Sequence, residues 1–328
     1  MFSWTKVHPM EIQIDLAPIA LFVYERVDHA RATIEALAKN DLAKSTHLCV
    51  FSDGPKHKKS TLRVEEVRGY LDTLPSQNWF KSVTIIKAAK NKGLANSIIK
   101  GVSKLIKEYG CVIVVEDDLV TAPDYLDFMN SALDFYKTNQ TIGSVTGYSP
   151  VHSHRLPSDY KHDIYLATRN CSYGWGTWLD RWEKVDWEAK AYNQLQTSFK
   201  LRNRFNECGI DRYKRLENQM NGKIDSWSIR FGLFQFMNDL YTVYPVVSRL
   251  KNIGWDGSGT HYTNKSASLS IPFNQKIEEE RVPFKLENIN VDARIIQAIR
   301  DMYPRALGTK VVRTVENYWL AITSFFEY

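Results

Sequence analysis

Three carboxylates stand in a row at Glu116-Asp117-Asp118, directly after the apolar run at residues 111–115. Such a run predicts a strand that is buried on both faces, so the three acids would lie together where the strand ends. Neighbouring carboxylates repel one another and attract a cation, and Mg²⁺ and Mn²⁺ prefer oxygen ligands. Mg²⁺ usually takes one or two protein carboxylates and adds phosphate oxygens. The triplet therefore predicts a divalent metal site shared with a phosphorylated ligand; a solvated acidic turn is the alternative interpretation.

The elements that must position these acids follow from two alternating periodicities in the first 120 residues. Apolar residues at helical spacing between short apolar runs predict three helices between four strands. Strands that alternate with helices predict a parallel sheet, whose ligands bind at the carboxyl ends of the strands. The predicted strands are residues 19–23, 48–51, 83–86 and 111–115.

Polar residues also follow the other three predicted strands. Arg26 comes after the first strand, and a guanidinium is always charged and can bind phosphate through two hydrogen bonds. Asp53 ends the second strand in a Ser-Asp-Gly turn. Asn91-Lys92-Gly93 joins the third strand to its helix, where glycine permits close backbone approach and the helix N-terminus suits phosphate. These residues predict a nucleotide-binding edge; the alternatives are a surface arginine and a plain turn aspartate.

After residue 120 the pattern loosens, and residues 150–190 are predicted to form loops around a site. Within them, Tyr173-Gly174-Trp175-Gly176 places two glycines among aromatic residues. Aromatic faces with nearby backbone donors are well suited to holding a sugar. The alternative is a tight turn that is packed by core tryptophans.

The sequence resembles a known family at its acidic segment. The run Val-Ile-Val-Val-Glu-Asp-Asp-Leu at residues 112–119, followed by Ala-Pro-Asp-Tyr at residues 122–125, resembles the metal-binding segment of the eukaryotic N-acetylglucosaminyltransferases that start complex N-glycans. Those are inverting GT-A enzymes that use UDP-sugars and Mn²⁺. The resemblance implies a GT-A fold, which is an α/β fold with a Rossmann-like, mostly parallel sheet flanked by helices, here with a helical C-terminal extension.

The resemblance also implies roles for the residues at the strand ends. Asp118 would be the direct metal ligand, and Glu116 and Asp117 would face the ribose and the sugar of the donor. Arg26 would reach the nucleotide, together with the turn that follows the third strand. Asp53 would lie against the uracil ring.

Three later segments acquire roles in the same way. Residues 173–176 resemble the glycine-rich loop that closes over the donor sugar. Asp225 resembles the catalytic base, which takes the proton of the acceptor hydroxyl; the family's flanking tryptophan and second acid are replaced by Ile224 and Ser226. A helix N-cap is the alternative role for Asp225. His261 resembles a late histidine that contacts the metal or phosphate, although a lone loop histidine is usually solvated.

Composition and charge place the chain among globular proteins. It has 328 residues, of which 44% are hydrophobic and 24% charged, and this excludes disordered and fibrous classes. A net charge of +6 suits anionic ligands or an anionic membrane surface. Four widely spaced cysteines without a C-x-x-C pair indicate a reducing compartment. The apolar stretch at residues 17–23 is too short to span a bilayer and lacks a signal-peptide layout, which predicts a cytoplasmic protein.

The predicted organisation is a GT-A catalytic domain at residues 15–265, with a nucleotide-binding half up to residue 120, and an extension at residues 266–328. The tail from residue 310 predicts an amphipathic helix that packs on the domain or touches an anionic membrane. The predicted activity is metal-dependent transfer of a hexose or N-acetylhexosamine from a UDP-sugar to a glycan or lipid-linked acceptor, with no nucleic-acid partner. Such an enzyme would be bacterial in type and would build surface polysaccharide or lipid-linked glycan. A sugar-nucleotide nucleotidyltransferase and a non-catalytic glycan-binding module are the alternatives.

Overall fold

The four predicted strands of the first half form one continuous block of parallel sheet. The structure is a computed structural model, and it describes residues 16–151, 155–256 and 277–303. The strands are β1 (Ile19–Val23), β2 (His47–Ser52), β3 (Ser82–Lys87), β4 (Cys111–Glu116), β5 (Leu119–Thr121), β6 (Ile142–Thr146), β7 (Ile164–Ala167), β8 (Trp175–Trp178), β9 (Tyr241–Pro245) and β10 (Leu250–Asn252). The α-helices are α1 (Val27–Ala38), α2 (Lys58–Asp72), α3 (Leu74–Gln77), α4 (Leu94–Tyr109), α5 (Tyr125–Tyr136), α6 (Leu179–Trp182), α7 (Tyr192–Thr197), α8 (Phe199–Phe205), α9 (Arg212–Met220), α10 (Trp227–Met237) and α11 (Ala293–Asp301).

Eight strands pair in the order β3-β2-β1-β4-β8-β6-β9-β7. The block β3-β2-β1-β4 is parallel throughout, and β9 is parallel to β6. Only β8 and β7 run against their neighbours. The described helices flank this mostly parallel sheet, so the predicted α/β class is confirmed.

Both faces of the sheet are covered, which explains the continuous apolar runs of the first strands. Ile19 and Leu21 of β1 face a core built with α1, α2 and α5. Ala20 and Phe22 face a second core built with α4 and α10. Helix α4 comes close to the sheet because Gly101 has no side chain; a Cβ there would lie 2.8 Å from the Phe22 ring. The sheet is therefore a rigid support for the residues that follow its strands.

The aromatic segment that was expected to be a loop is partly a strand, and the structure corrects that prediction. Trp175 and Gly176 belong to β8, between β4 and β6 in the sheet. Gly176 fits here because a Cβ would lie 2.9 Å from the carbonyl oxygen of Val112. Trp175 is completely buried and stacks on Trp227, with ring centroids 4.6 Å apart. Packing of the indole in the core thus stabilises a strand at this position.

Residues beyond the predicted domain boundary pack on the same core. Arg249 and Asp124 form a buried ion pair, and both bind the backbone of Val282, which anchors the segment that leads to α11. Ile295 and Ile299 of α11 are fully buried. The boundary at residue 265 and the tail from residue 310 lie outside the described residues. Among the described helices, none has the length and apolarity needed to cross a bilayer.

Candidate functional site

Arg26 and two of the three acids form an ion-pair cluster where β1 and β4 end. Phe22 of β1 lies opposite Glu116 of β4, so the residues that follow both strands leave the sheet side by side. The Arg26 guanidinium pairs with Asp117 and, at 2.8 Å, with Oδ2 of Asp118. Its Nη1 is buried and has no hydrogen-bond partner within the described ranges. One donor of the guanidinium is therefore left unsatisfied by the described residues.

Two other segments fix the acids by hydrogen bonds to their backbone carbonyl groups. Thr33 Oγ1 in α1 donates to the carbonyl oxygen of Asp117 at 2.8 Å and accepts from the amide of Leu119 at 3.2 Å. The amide of Ile253, just after β10, donates to the carbonyl oxygen of Asp118 at 2.8 Å. The positions of Asp117 and Asp118 are thus set by α1 and by the β5–β10 pair, as well as by β4.

The electrostatics of the cluster show too little positive charge for its acids. Burial, then repulsion by Asp118 and Asp117, raises the pKa of Glu116 to about 8. Burial raises the pKa of Asp117 to about 6, although Arg26 acts in the opposite direction. Burial alone would lower the pKa of Arg26, but its attraction to Asp117 and Asp118 raises it. One guanidinium does not neutralise three carboxylates, so a further cation would stabilise the site.

The turn after β10 belongs to the site, and sequence reasoning missed it. Gly254 is buried directly against the acids; a Cβ there would overlap the carboxylate of Asp118 and would lie 3.1 Å from Nη1 of Arg26. Two residues later, Asp256 pairs with His29 of α1, with Oδ2 3.2 Å from Nε2. The one available signal was the glycine in the Asn-Ile-Gly-Trp sequence. A glycine indicates that another group approaches the backbone closely, but it does not indicate which group.

Asp53 joins the turns that follow β2 and β3. Its carboxylate accepts hydrogen bonds from the amides of Lys92 at 2.9 Å and Gly93 at 3.1 Å. Asn91 Nδ2 donates to the carbonyl oxygen of Gly54 at 2.8 Å, which joins the same two turns. The Lys92 and Gly93 amides, which were expected to suit phosphate, therefore face Asp53. The geometry gives Asp53 a structural role; its contact with a uracil ring stays a prediction.

Asp225 lies beside the start of α4, although the two are far apart in sequence. A Cβ on Gly93 would lie 3.3 Å from Asp225 Oδ2. The Asp225 side chain is 55% exposed, and Oδ1 is 3.5 Å from Nη2 of Arg230. The alternative that Asp225 caps α10 is wrong, because Ser226 is the N-cap residue and accepts from the amide of Ile229. The carboxylate thus remains open to solvent at the carboxyl edge of the sheet.

The four aromatic-segment residues do not share one environment. Trp175 and Gly176 are buried in β8, so they belong to a strand and not to a loop, and their contact with a donor sugar stays a prediction. Tyr173 is half-buried and packs edge-on against Tyr148, with ring centroids 5.0 Å apart. Cys171, two residues earlier, is close enough to Glu116 for their charges to interact. Donor binding by Tyr173 and Gly174 stays a prediction.

The residues present fit a divalent ion that is shared with phosphate better than a cage made of protein alone. Among the described residues, no three His, Cys, Asp or Glu side chains converge on one point. Asp117 is held by Arg26 and by the amide of Tyr24, whereas 19% of the Asp118 side chain is exposed. A single available carboxylate beside a buried guanidinium suits Mg²⁺ or Mn²⁺ with phosphate ligands. The second predicted ligand, His261, lies outside the described residues.

The sequence matches no protein-family model and no curated protein. Among solved structures, the chain is similar to S. aureus TarS, at 12% identity and a TM-score of 0.38, over 70% of this chain and 37% of that one. The chain thus spans little more than a third of the length of TarS.

Two further structures are similar to the chain at the same level. The mannosyltransferase PcManGT from Pyrobaculum calidifontis, in complex with GDP-Man and Mn²⁺, has 10% identity and a TM-score of 0.36, over 69% of this chain and 72% of that one. A UDP-glucose pyrophosphorylase complexed with UDP-glucose has 12% identity and a TM-score of 0.38, over 72% and 92%. Because all three TM-scores are below 0.5, the chemistry of the site itself has to support a function.

Proposed function

We propose that this chain is a metal-dependent inverting glycosyltransferase that moves a sugar from a nucleotide-sugar, with UDP-sugars as the first candidates, to a hydroxyl group of a glycan or lipid-linked acceptor. The observation that carries the proposal is the pairing of Arg26 and Asp118 at the same sheet edge as the exposed carboxylate of Asp225. Departure of a nucleoside diphosphate requires positive charge at its phosphates, and attack by a hydroxyl requires a base. The edge offers both.

At the donor end, Arg26, whose side chain is 20% exposed, binds an oxygen of the diphosphate. Asp117 keeps the guanidinium in place through its ion pair with Arg26. Asp118 would hold the divalent ion, which would supply positive charge beside the departing diphosphate. The turn at residues 91–93, joined to Asp53, borders the nucleotide.

At the acceptor end, Asp225 accepts the proton of the attacking hydroxyl group. Arg230 fixes this carboxylate and is itself fixed, because Nε donates to the carbonyl oxygen of Ser226 and Nη1 to that of Trp187, each at 3.1 Å. A base on one face of the sugar and a leaving group on the other give inversion in one displacement. This geometry supports the inverting assignment.

The test is a panel of UDP-, GDP- and CMP-linked sugars, assayed for Mn²⁺- or Mg²⁺-dependent binding and for hydrolysis or transfer. We expect at least one UDP-sugar to bind in a metal-dependent manner and to release UDP. The proposal is abandoned if the chain is folded, as checked by circular dichroism, but neither binds nor hydrolyses any of the donors with either metal. The Asp118→Ala variant is the control, and it should lose metal-dependent binding while it stays folded.

The same assay separates the two alternatives. A nucleotidyltransferase would release pyrophosphate from a nucleoside triphosphate and a sugar phosphate. Such enzymes usually carry a glycine- and basic-rich loop after their first strand, whereas here Tyr24-Glu25-Arg26 leads directly into α1. A non-catalytic glycan-binding module would bind saccharide without metal and would tolerate loss of Asp118.

Three finer assignments belong to the same proposal. They are the division into a catalytic domain at residues 15–265 and an extension, the relationship to the N-acetylglucosaminyltransferases, and work in the cytoplasm on bacterial-type polysaccharide. Packing of residues 284–291 against the main core, and of α11 against β7 and β9, supports one catalytic unit. Transfer of a sugar of another class would contradict the relationship to the N-acetylglucosaminyltransferases. Recovery of the native chain from a secretory lumen would contradict work in the cytoplasm.

A further inference from the structure

Lysines are concentrated on two neighbouring turns at the carboxyl edge of the sheet. Lys56, Lys58 and Lys59 lie on the turn after β2 and in the first turn of α2. Lys90 and Lys92 lie on the turn between β3 and α4. All five residues are exposed. We call this set, together with Leu62 and Leu94, the basic edge.

The two turns form one surface because their backbones touch. A Cβ on Gly54 would lie 2.5 Å from the carbonyl carbon of Lys90 and 2.8 Å from the amide nitrogen of Asn91. Asp53 accepts from the amide of Lys92, and the hydroxyl of Tyr24 accepts from the amide of Lys56 at 3.0 Å. The basic edge therefore borders the candidate site.

The five lysines are not neutralised by the described part of the protein, in which none of them forms an ion pair. The neighbouring Arg63 and Lys87 do pair, with Glu25 and Asp72. Lys58 and Lys59 also stand at the positive end of the α2 dipole, where a cation is unfavourable for the helix itself. Their placement therefore costs stability, and five ammonium groups without an ion pair to any described residue, on two adjoining turns, favour a ligand with many negative charges.

Two exposed apolar side chains lie near the lysine turns, each at the start of one of the two helices. Leu62 is 82% exposed, and it lies three and four residues after Lys59 and Lys58, on the same face of α2. Leu94, at the start of α4 next to the second lysine turn, is 39% exposed. A soluble polyanion would satisfy the lysines but would leave the leucines in water. A lipid bilayer accepts both, with headgroups around the lysines and the acyl boundary for the leucines.

We propose that the basic edge docks the protein on a membrane that contains anionic phospholipid, with the candidate site facing the bilayer. The surface lies at the edge from which Arg26 and Asp118 emerge, so docking would present a membrane-embedded acceptor to the site. This inference concerns binding to a bilayer and stands whether or not the site transfers a sugar.

The experiment is vesicle flotation of the full chain, with neutral phosphatidylcholine vesicles and with vesicles in which roughly a third of the lipid is phosphatidylglycerol. At a surface potential of about −30 mV, each lysine near an anionic membrane contributes about fivefold to binding. We expect binding to the anionic vesicles, lost at high salt. The variant Lys56→Glu/Lys58→Glu/Lys59→Glu should weaken binding by about 10²-fold or more. Leu62→Gln should weaken binding to a smaller extent, with unchanged salt dependence.

The matched control carries the same charge change elsewhere, as Lys161→Glu/Lys184→Glu/Lys200→Glu, three exposed lysines of the second half. It should bind anionic vesicles within about threefold of the wild type, since it leaves the contact surface intact. The proposal is overturned if both triple variants lose vesicle binding equally, or if the wild type binds neutral vesicles as well as anionic ones. It is also overturned if the first variant keeps its binding, and this result would point to the tail from residue 310. Donor hydrolysis without vesicles, which the first variant should retain, reports separately on the proposed function.

Discussion

Gly254→Ala gives a specific test of the geometry around Asp118. A Cβ at residue 254 would overlap the Asp118 carboxylate and lie 2.9 Å from its Cγ, at least ~0.6 Å short of ordinary carbon contact. Asp118 also pairs with Arg26, which lies 3.1 Å from the same Cβ, so the carboxylate cannot retreat towards the guanidinium. The added methyl group must therefore displace the carboxylate, the guanidinium, or both.

The expected consequence is a functional loss on a protein that still folds. Catalytic groups must be held within about 0.5 Å, and a misplacement of 1 Å costs about 10²-fold in rate. We therefore expect Gly254→Ala to lower kcat/KM by about 10–10²-fold and to weaken Mn²⁺-dependent UDP binding.

Metal and nucleotide titration by calorimetry, together with a UDP-release assay, measures both effects. Gly69→Ala on α2 is the control, because a Cβ there meets nothing within 4 Å and alanine is the better helix former. It should preserve binding and turnover. If Gly254→Ala keeps turnover and metal affinity within about twofold of the wild type, the placement of Asp118 in the metal site is wrong.

Three further perturbations test other parts of the structure. Asp225→Asn should lower turnover by about 10²–10⁴-fold while donor binding by calorimetry is retained, whereas Asp239→Asn at the far end of α10 should change neither; unchanged turnover removes Asp225 as the base. The pKa of Glu116 is raised from 4.5 to about 8, so its stabilising contribution is complete below pH 4.5 and is lost as the pH rises to about 8. The Tm of the protein in EDTA should fall across this window, and Glu116→Gln should flatten the fall; a Tm profile that the variant leaves unaltered contradicts the assignment. Asp124→Asn leaves Arg249 buried without its partner and should lower the free energy of unfolding by about 3–5 kcal/mol in urea titrations, and a loss below about 1 kcal/mol would show that the pair is not desolvated.

Local sequence was sufficient for the parallel half of the sheet. The runs that became β1 and β4 are apolar throughout because both faces of these strands are covered, and this pattern is visible without knowing the covering residues. The ends of such strands then fix where the next polar residues emerge. For this reason, Arg26 and the acids could be assigned to one edge before their ion pairs were known.

The β8 segment shows where local reasoning failed. A Trp-Gly-Thr-Trp sequence fits a loop around a ligand as well as a strand, since tryptophan favours both settings. The choice was made by Val112 and Trp227, which are distant in sequence and supply the sheet partner and the stacking surface. No periodicity in a four-residue segment carries that information.

The capping of α10 is a second feature that could not be predicted from the sequence. Asp225 and Ser226 are both good N-cap residues, and sequence offers no reason to prefer one. Arg230, one helical turn later, attracts the carboxylate and leaves the hydroxyl to cap the helix. This contact, which sequence does not show, leaves the Asp225 carboxylate outside the cap.

The sequence by itself therefore determined the class of fold, the sheet edge and the acidic cluster, because hydrophobic periodicity and strand ends are local properties. Tertiary structure decided which groups meet there. Gly254 reaches Asp118, and Asp225 reaches the turn before α4, across more than a hundred residues in each case. Such contacts depend on how separate elements pack together, and packing is a property of the whole chain.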